Sequence, residues 1–203
     1  MIMFYEVTIH TVRPGAVPQA LAALQGSLAA GGGKLLACWS SEIGALNRIL
    51  VIREADPAGE SSRREALARE NDPYGISAFA VSTACDIFAS FPFLPPIKTG
   101  AMGPFFEVRT YELRPAGLPW TVEAWGRMLP GRTARSPILT AMYSTTGTVT
   151  RLMHIWPYKT LDQRGQIRAA AVADKLWPPP GGTEHFASMQ SEIYVPAPFS
   201  PIR

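Results

Sequence analysis

The hydrophobic pattern changes period several times along the chain, and it does so in the same order twice. Residues 4–12 and 105–113 each alternate between β-branched or aromatic residues and polar ones, then stop at Pro14 and Pro115. Alternation with a period of two predicts a strand, and the proline predicts a turn. Helical spacing follows each strand: Leu21, Leu24 and Leu28 in the first half, Leu118, Val122, Trp125 and Leu129 in the second. Two apolar runs come next, residues 35–39 with 46–52, and residues 138–143 with 149–156. Short polar connections containing glycine join each pair, so each reads as a hairpin. A second helix follows each hairpin. The later one opens at Thr160, with Gln163 three residues on, a capping-box pattern. Its Leu161, Gly165, Ala169, Val172 and Leu176 are expected on the packed face. Arg164, Arg168 and Lys175 are expected on another face, Arg164 and Arg168 pairing with surface acids. A last strand lies near residues 83–88 and again near 188–195.

The order is therefore β-α-β-β-α-β, twice, and the residues themselves repeat. Phe4, Glu6, Val7, Arg13 and Pro14 recur as Phe105, Glu107, Val108, Arg114 and Pro115. Arg48-Ile49-Leu50-Val51-Ile52 matches Arg151-Leu152-Met153-His154-Ile155, and Cys38-Trp39-Ser40 matches Met142-Tyr143-Ser144. Each half ends alike, in Pro92-Phe93-Leu94-Pro95-Pro96-Ile97 and Pro198-Phe199-Ser200-Pro201-Ile202. The expected domains are a first repeat at 1–95, a linker at 96–104 and a second repeat at 105–203. The expected fold class is α+β: two ferredoxin-like repeats packed sheet to sheet as an intrachain dimeric α/β barrel. The reason is burial. Each four-stranded sheet carries helices on one face, and the bare face of the other repeat is its nearest cover.

Composition narrows the function classes. With 47% hydrophobic and 17% charged residues the chain is globular, and no apolar run is long enough to span a bilayer. The first residues lack the basic and apolar regions of a secretory signal. Cys38 and Cys85 are too few for a disulfide framework and lack metal-ligand spacing, so a cytoplasmic location is expected, with no metal and no cofactor. The net charge of +3 divides into −1 for residues 1–101 and +4 for the rest. No basic cluster with interleaved aromatics suggests nucleic acid. Gly31-Gly32-Gly33 precedes a strand, so it is read as a loop and not a phosphate cradle.

The stretch Phe106-Glu107-Val108-Arg109-Thr110-Tyr111-Glu112-Leu113-Arg114-Pro115 is similar to the NIPSNAP family. So is His154-Ile155-Trp156-Pro157-Tyr158 with the Leu161-Asp162-Gln163-Arg164 helix. The first half resembles the family more weakly, through Pro14-Gly15, Trp39, Gly44 and Leu46-Asn47. The resemblance implies the dimeric α/β-barrel fold and no particular chemistry. The second half keeps Arg109, Tyr111, His154 and Trp156, where the first has Thr8, His10, Val51 and Arg53. The first half keeps Trp39 and Asn47, where the second has Tyr143 and Thr150.

Glu107, Arg109 and Tyr111 share one strand face, and His154 and Trp156 share another. If all point into the barrel, with Trp39 and Asn47, they line a cavity for a small anionic or aromatic ligand. The competing reading is structural: buried charges that pair with each other, a core histidine, and rings that fill volume. Two functions follow, a non-catalytic binding or scaffold protein, and a cofactor-independent monooxygenase- or isomerase-like enzyme. A homodimer is a further expectation.

Overall fold

The computed structural model describes residues 1–30, 33–147 and 150–203, without the Ala30 side chain. Gly31 and Gly32 of the glycine run, and Val149 of the last apolar run, lie outside the described residues. The chain forms β1 (Phe4–Val12), α1 (Val17–Ala30), β2 (Leu35–Ile43), β3 (Arg48–Glu54), α2 (Pro57–Ala68) and β4 (Ala80–Ser90). It then forms β5 (Phe105–Leu113), α3 (Gly117–Thr133), β6 (Thr140–Ser144), β7 (Arg151–Tyr158), α4 (Leu161–Ala173) and β8 (Phe186–Pro196). Leu46, expected in a strand, lies in the β2–β3 turn and is exposed. Gly44 and Asn47 both have positive φ there, and asparagine tolerates that region better than a branched side chain.

The expectation of two separate sheets stacked face to face is corrected. The strands form one antiparallel closed barrel in the order β1-β3-β2-β8-β5-β7-β6-β4, with β4 returning to β1. The halves are joined edge to edge by hydrogen bonds, through Trp39↔Pro196 to Ile43↔Ile193 on one side and Phe88↔Ser144 to Ser90↔Met142 on the other. Edge pairing satisfies backbone groups that two stacked sheets would leave open.

The closed sheet has two covered faces. Tyr5, Val7, Trp39, Leu50, Ile52, Phe88, Phe106, Val108, Met142, Met153, Ile155 and Tyr194 form one inner core drawn from all eight strands. On the outer face, Ile49 and Val51 pack under Ala20, Leu24 and Leu28 of α1. Tyr111, Leu152 and Trp156 pack under Trp125 and Leu129 of α3. The chain ends of the halves cross over. Phe91 and Leu94 join the cluster beneath α3, and Ala197 and Phe199 join that beneath α1. The 96–104 segment is held to the carboxy terminus by a Gly100–Ile202 bridge, and to β1 by Ile97 N–H donating to Tyr5 Oη at 3.0 Å.

The cap of α4 forms as the capping box implies, displaced by one residue on one side. Thr160 Oγ1 accepts from Gln163 N at 3.0 Å, and Gln163 Oε1 accepts from Lys159 N at 2.8 Å. The packed face differs from the expected one. Leu161 and Val172 are exposed, while Ala171 is buried and Arg164 and Arg168 turn toward the sheet. A buried carboxylate on β5 draws the arginines inward more strongly than two aliphatic side chains oppose it.

Candidate functional site

The sheet alternation decides where each candidate residue goes. Phe106 and Val108 of β5 occupy the inner core, so Glu107, Arg109 and Tyr111 must face outward, beneath α3 and α4. On β7, Met153 and Ile155 point in, so His154 and Trp156 point out. Register places Arg109 opposite His154 and Glu107 opposite Trp156. These five residues therefore do converge, but between sheet and helices instead of inside the barrel. Trp39 is on the inner face, stacked on Phe106 at 4.2 Å between ring centroids, its indole N–H donating to Ile202 O at 3.0 Å. Asn47 is a turn residue with φ 58° whose carbonyl accepts from Val12 N–H. Neither meets the other five.

Glu107 is fully buried. Its Oε1 accepts from Arg164 at 2.6 Å, Arg109 at 2.7 Å and Ser191 at 2.8 Å. Burial alone would raise its pKa, but Arg164, Arg109 and Ser191 outweigh burial and hold it at about 2. Arg109 also donates from Nε to Tyr111 Oη at 2.5 Å. Burial raises the Tyr111 pKa, against the opposing effect of Arg109. His154 is buried, and burial together with the neighbouring Arg109 lowers its pKa well below the usual value. Its Nδ1 accepts from Trp156 Nε1 at 2.7 Å, so the neutral ring carries its proton on Nε2. Nε2 makes no hydrogen bond, and Tyr111 and Trp125 meet the ring edge to face at 4.9 and 4.8 Å.

In front of Tyr111 and Trp125 lies a cavity of about 290 Å³. Its walls are Trp120 and Trp125 of α3, Tyr111 of β5, Phe186 and Met189 of β8, and the Trp177–Thr183 segment. Glycine is favoured at position 181 of that segment, where φ is 77°. Trp177 meets Trp125 edge to face at 4.6 Å. Among the lining residues Tyr111 is the one ionisable group. Of the sequence candidates only Tyr111 touches this space; Arg109, His154, Glu107 and Trp156 support it from behind. Sequence reading missed Trp120, Trp177, Phe186 and Met189. The available signal was the concentration of tryptophan, with four of five in the second half.

A second, more polar cleft of about 210 Å³ opens on the inner face at one end of the sheet. Val7, Ile9, Phe88 and Met153 form its floor, and the Arg48–Glu192 and Arg151–Asp86 pairs, at 3.3 and 2.8 Å, its rim. None of the seven sequence candidates lines it.

The matching region of the first half is neutralised internally. Glu6 pairs with Arg63 of α2, and Glu60 pairs with Arg63 and Arg64 at 2.9 and 2.8 Å. Glu6, Glu60 and Cys85 lie close enough together to ligate a cation. Both carboxylates are already bound to guanidinium groups, which makes a cation a poor competitor there. His10 donates to or accepts from Thr83 Oγ1 at 2.9 Å, and burial lowers its pKa to about 4.

A family model described as NIPSNAP matches residues 106–201. Protein NipSnap of Drosophila melanogaster is 24% identical, over 98% of this chain and 78% of the fly protein. The NipSnap homolog of Dictyostelium discoideum is also 24% identical, over 81% of this chain and 76% of its own. The crystal structure of an anthrone oxidase-like protein superposes with a TM-score of 0.69 at 11% identity, covering 96% of this chain and 91% of that one. That last likeness is one of fold.

Proposed function

We propose, on the premise that residues 106–201 belong to the NIPSNAP family, that the protein is a non-catalytic binder of small, flat, neutral aromatic molecules. The observation that carries this is the cavity walled by Tyr111, Trp120, Trp125, Trp177, Phe186 and Met189. Flat rings gain stacking and burial from such walls, and a site of this size and character is what small-molecule pockets require. The anionic half of the sequence expectation gains no support, because Arg109 is engaged by Glu107 and Tyr111. The enzymatic alternative needs a base at the ligand. His154 lies behind Tyr111 and Trp125, and the buried Tyr111 phenol is pushed away from ionisation.

In this reading the two halves, residues 1–95 and 105–203 with the 96–104 linker, descend from one duplicated ferredoxin-like unit. The equivalent registers Glu6↔Arg53 and Glu107↔Trp156 support it, as does the repeated element order. No helix among the described residues is long and apolar enough to cross a membrane. Two free thiols support a cytoplasmic setting.

Titration with naphthol, a neutral bicyclic probe, should quench tryptophan fluorescence saturably. Trp120→Ala should weaken binding about tenfold, the effect of one lost stacking partner of about 1.5 kcal/mol. Linear, non-saturating quenching in the wild-type protein would refute the proposed site.

A further inference from the structure

We propose a second site, for an oxyanion, at the seam of α3, α4 and the outer face of β5 and β7, built by Arg132, Arg164 and Arg168. Arg132 sits near the end of α3 with 2% of its surface exposed. Its guanidinium lies 4.3 Å over the Trp156 ring, and Nη2 reaches Tyr158 Oη at 3.5 Å. Its Nε and Nη1 are buried without a hydrogen-bond partner. A cation–π contact offsets part of the cost of burying a guanidinium, not all of it.

Charge counting around it points the same way. Among the described residues Glu107 is the one carboxylate paired with this group, through Arg109, Arg164 and, at 3.7 Å, Arg168. With Arg132 that makes four guanidinium groups against one carboxylate. All the close bonds fall on one oxygen, Glu107 Oε1, while Oε2 has Tyr158 Oη at 3.5 Å. The first half supplies the internal comparison. There Glu6 and Glu60 meet Arg63 and Arg64, with the buried Arg53 beside them, three guanidinium groups against two carboxylates. Arg53, which stands where Trp156 stands in the second half, donates to the carbonyls of Leu28 and Gly33 near the end of α1. The second half exchanged that strand arginine for tryptophan and placed a guanidinium on the helix instead, with no carbonyl to cap. The positive excess is therefore larger in the second half, four against one, than in the first, three against two. An excess of positive charge around a buried, unpartnered guanidinium is the arrangement that binds an oxyanion.

The cluster reaches solvent. The Arg164 and Arg168 side chains keep 28% and 39% of their surface exposed, so the α4 side of the cluster is open to an anion from solvent. The site is separate from the aromatic cavity, since Trp156 and Trp177 stand between them.

Calorimetric titration at constant ionic strength, held with sodium chloride, tests the proposal. Inorganic phosphate and acetate are used in separate arms. Saturable binding of either, weakened about tenfold or more in Arg132→Gln and in Arg168→Gln, is the expected result. The tighter of the two assigns the natural ligand to the phosphate or the carboxylate class. Trp120→Ala should bind the anion as the wild-type protein does. Heats no greater than the chloride control in both arms overturn the proposal, and so does unchanged affinity in both arginine variants. Should Arg132→Gln lose its far-ultraviolet dichroism, the more exposed Arg168→Gln decides alone.

Discussion

Replacing Glu107 by glutamine should lower the melting temperature at neutral pH by roughly 10 °C. The substitution preserves shape and removes charge, leaving Arg109 and Arg164 facing a neutral amide in a buried setting. Removing one partner of a buried ion pair costs about 3–5 kcal/mol, and a domain of this size moves by about 2–4 °C per kcal/mol. The pH dependence identifies the cause. Arg164, Arg109 and Ser191 hold the Glu107 carboxyl at about 2 in the folded protein, below its ordinary value of 4.5. A depressed acid contributes stability that is complete above the unfolded value and disappears as pH falls from 4.5 toward 2. The variant lacks that contribution, so its melting curve should be flatter than the wild type over this window. His10 acts in both proteins alike. Its folded value of about 4 lies below the usual 6.5, so its contribution is lost as pH falls between those values. Melting temperatures that run parallel in both proteins from neutral pH to acid would show that Glu107 carries no such charge.

The second large effect is expected at Trp39. This side chain is fully buried on the inner face, stacked on Phe106 across the join between the halves. Trp39→Ala should cost about 3–5 kcal/mol, chiefly as a cavity in a core that cannot collapse around it. Lost hydrogen bonding adds little, because Ile202 O also accepts from Ser200 Oγ at 2.7 Å. Trp39→Phe keeps a stacked ring and should lose about 1 kcal/mol, chiefly from the smaller volume it leaves unfilled. Neither change should alter naphthol affinity, since Trp39 and the aromatic cavity lie on opposite faces of the sheet. Chemical denaturation with a parallel binding titration checks both statements. An Ala variant as stable as the wild type would mean that the inner core is not packed around this ring.

The sequence made the elements legible because strand and helix periods are strong and occur twice. What it did not reveal was which face of a strand points inward. In β5 the alternation separates Phe106 and Val108 from Glu107, Arg109 and Tyr111, and the functional expectation sent the polar set inside. Physically the choice runs the other way. The middle of the closed sheet is remote from water, so it takes the apolar set, Phe106 and Val108, while Glu107, Arg109 and Tyr111 lie under helices that bring them arginines. The same partner, Glu107, explains the rotation of α4: counting apolar positions alone cannot show that Arg164 and Arg168 have a buried acid to meet. The aromatic cavity was hidden for another reason. Trp120, Trp177 and Phe186 belong to a helix, a proline-rich connection and a strand, and periodicity within one element says nothing about contacts between three. Asn47 was legible as a special residue but not in its role, because a turn asparagine and a binding asparagine look alike in one dimension.

The methionines offer a direct test of where a ligand lodges. Met189 lines the aromatic cavity on the outer face, whereas Met142 and Met153 belong to the inner core. In a methyl-resolved magnetic resonance titration with naphthol, the Met189 methyl should shift saturably while those of Met142 and Met153 stay in place. Movement of the Met153 resonance with Met189 unmoved would put the ligand inside the closed sheet and contradict the account.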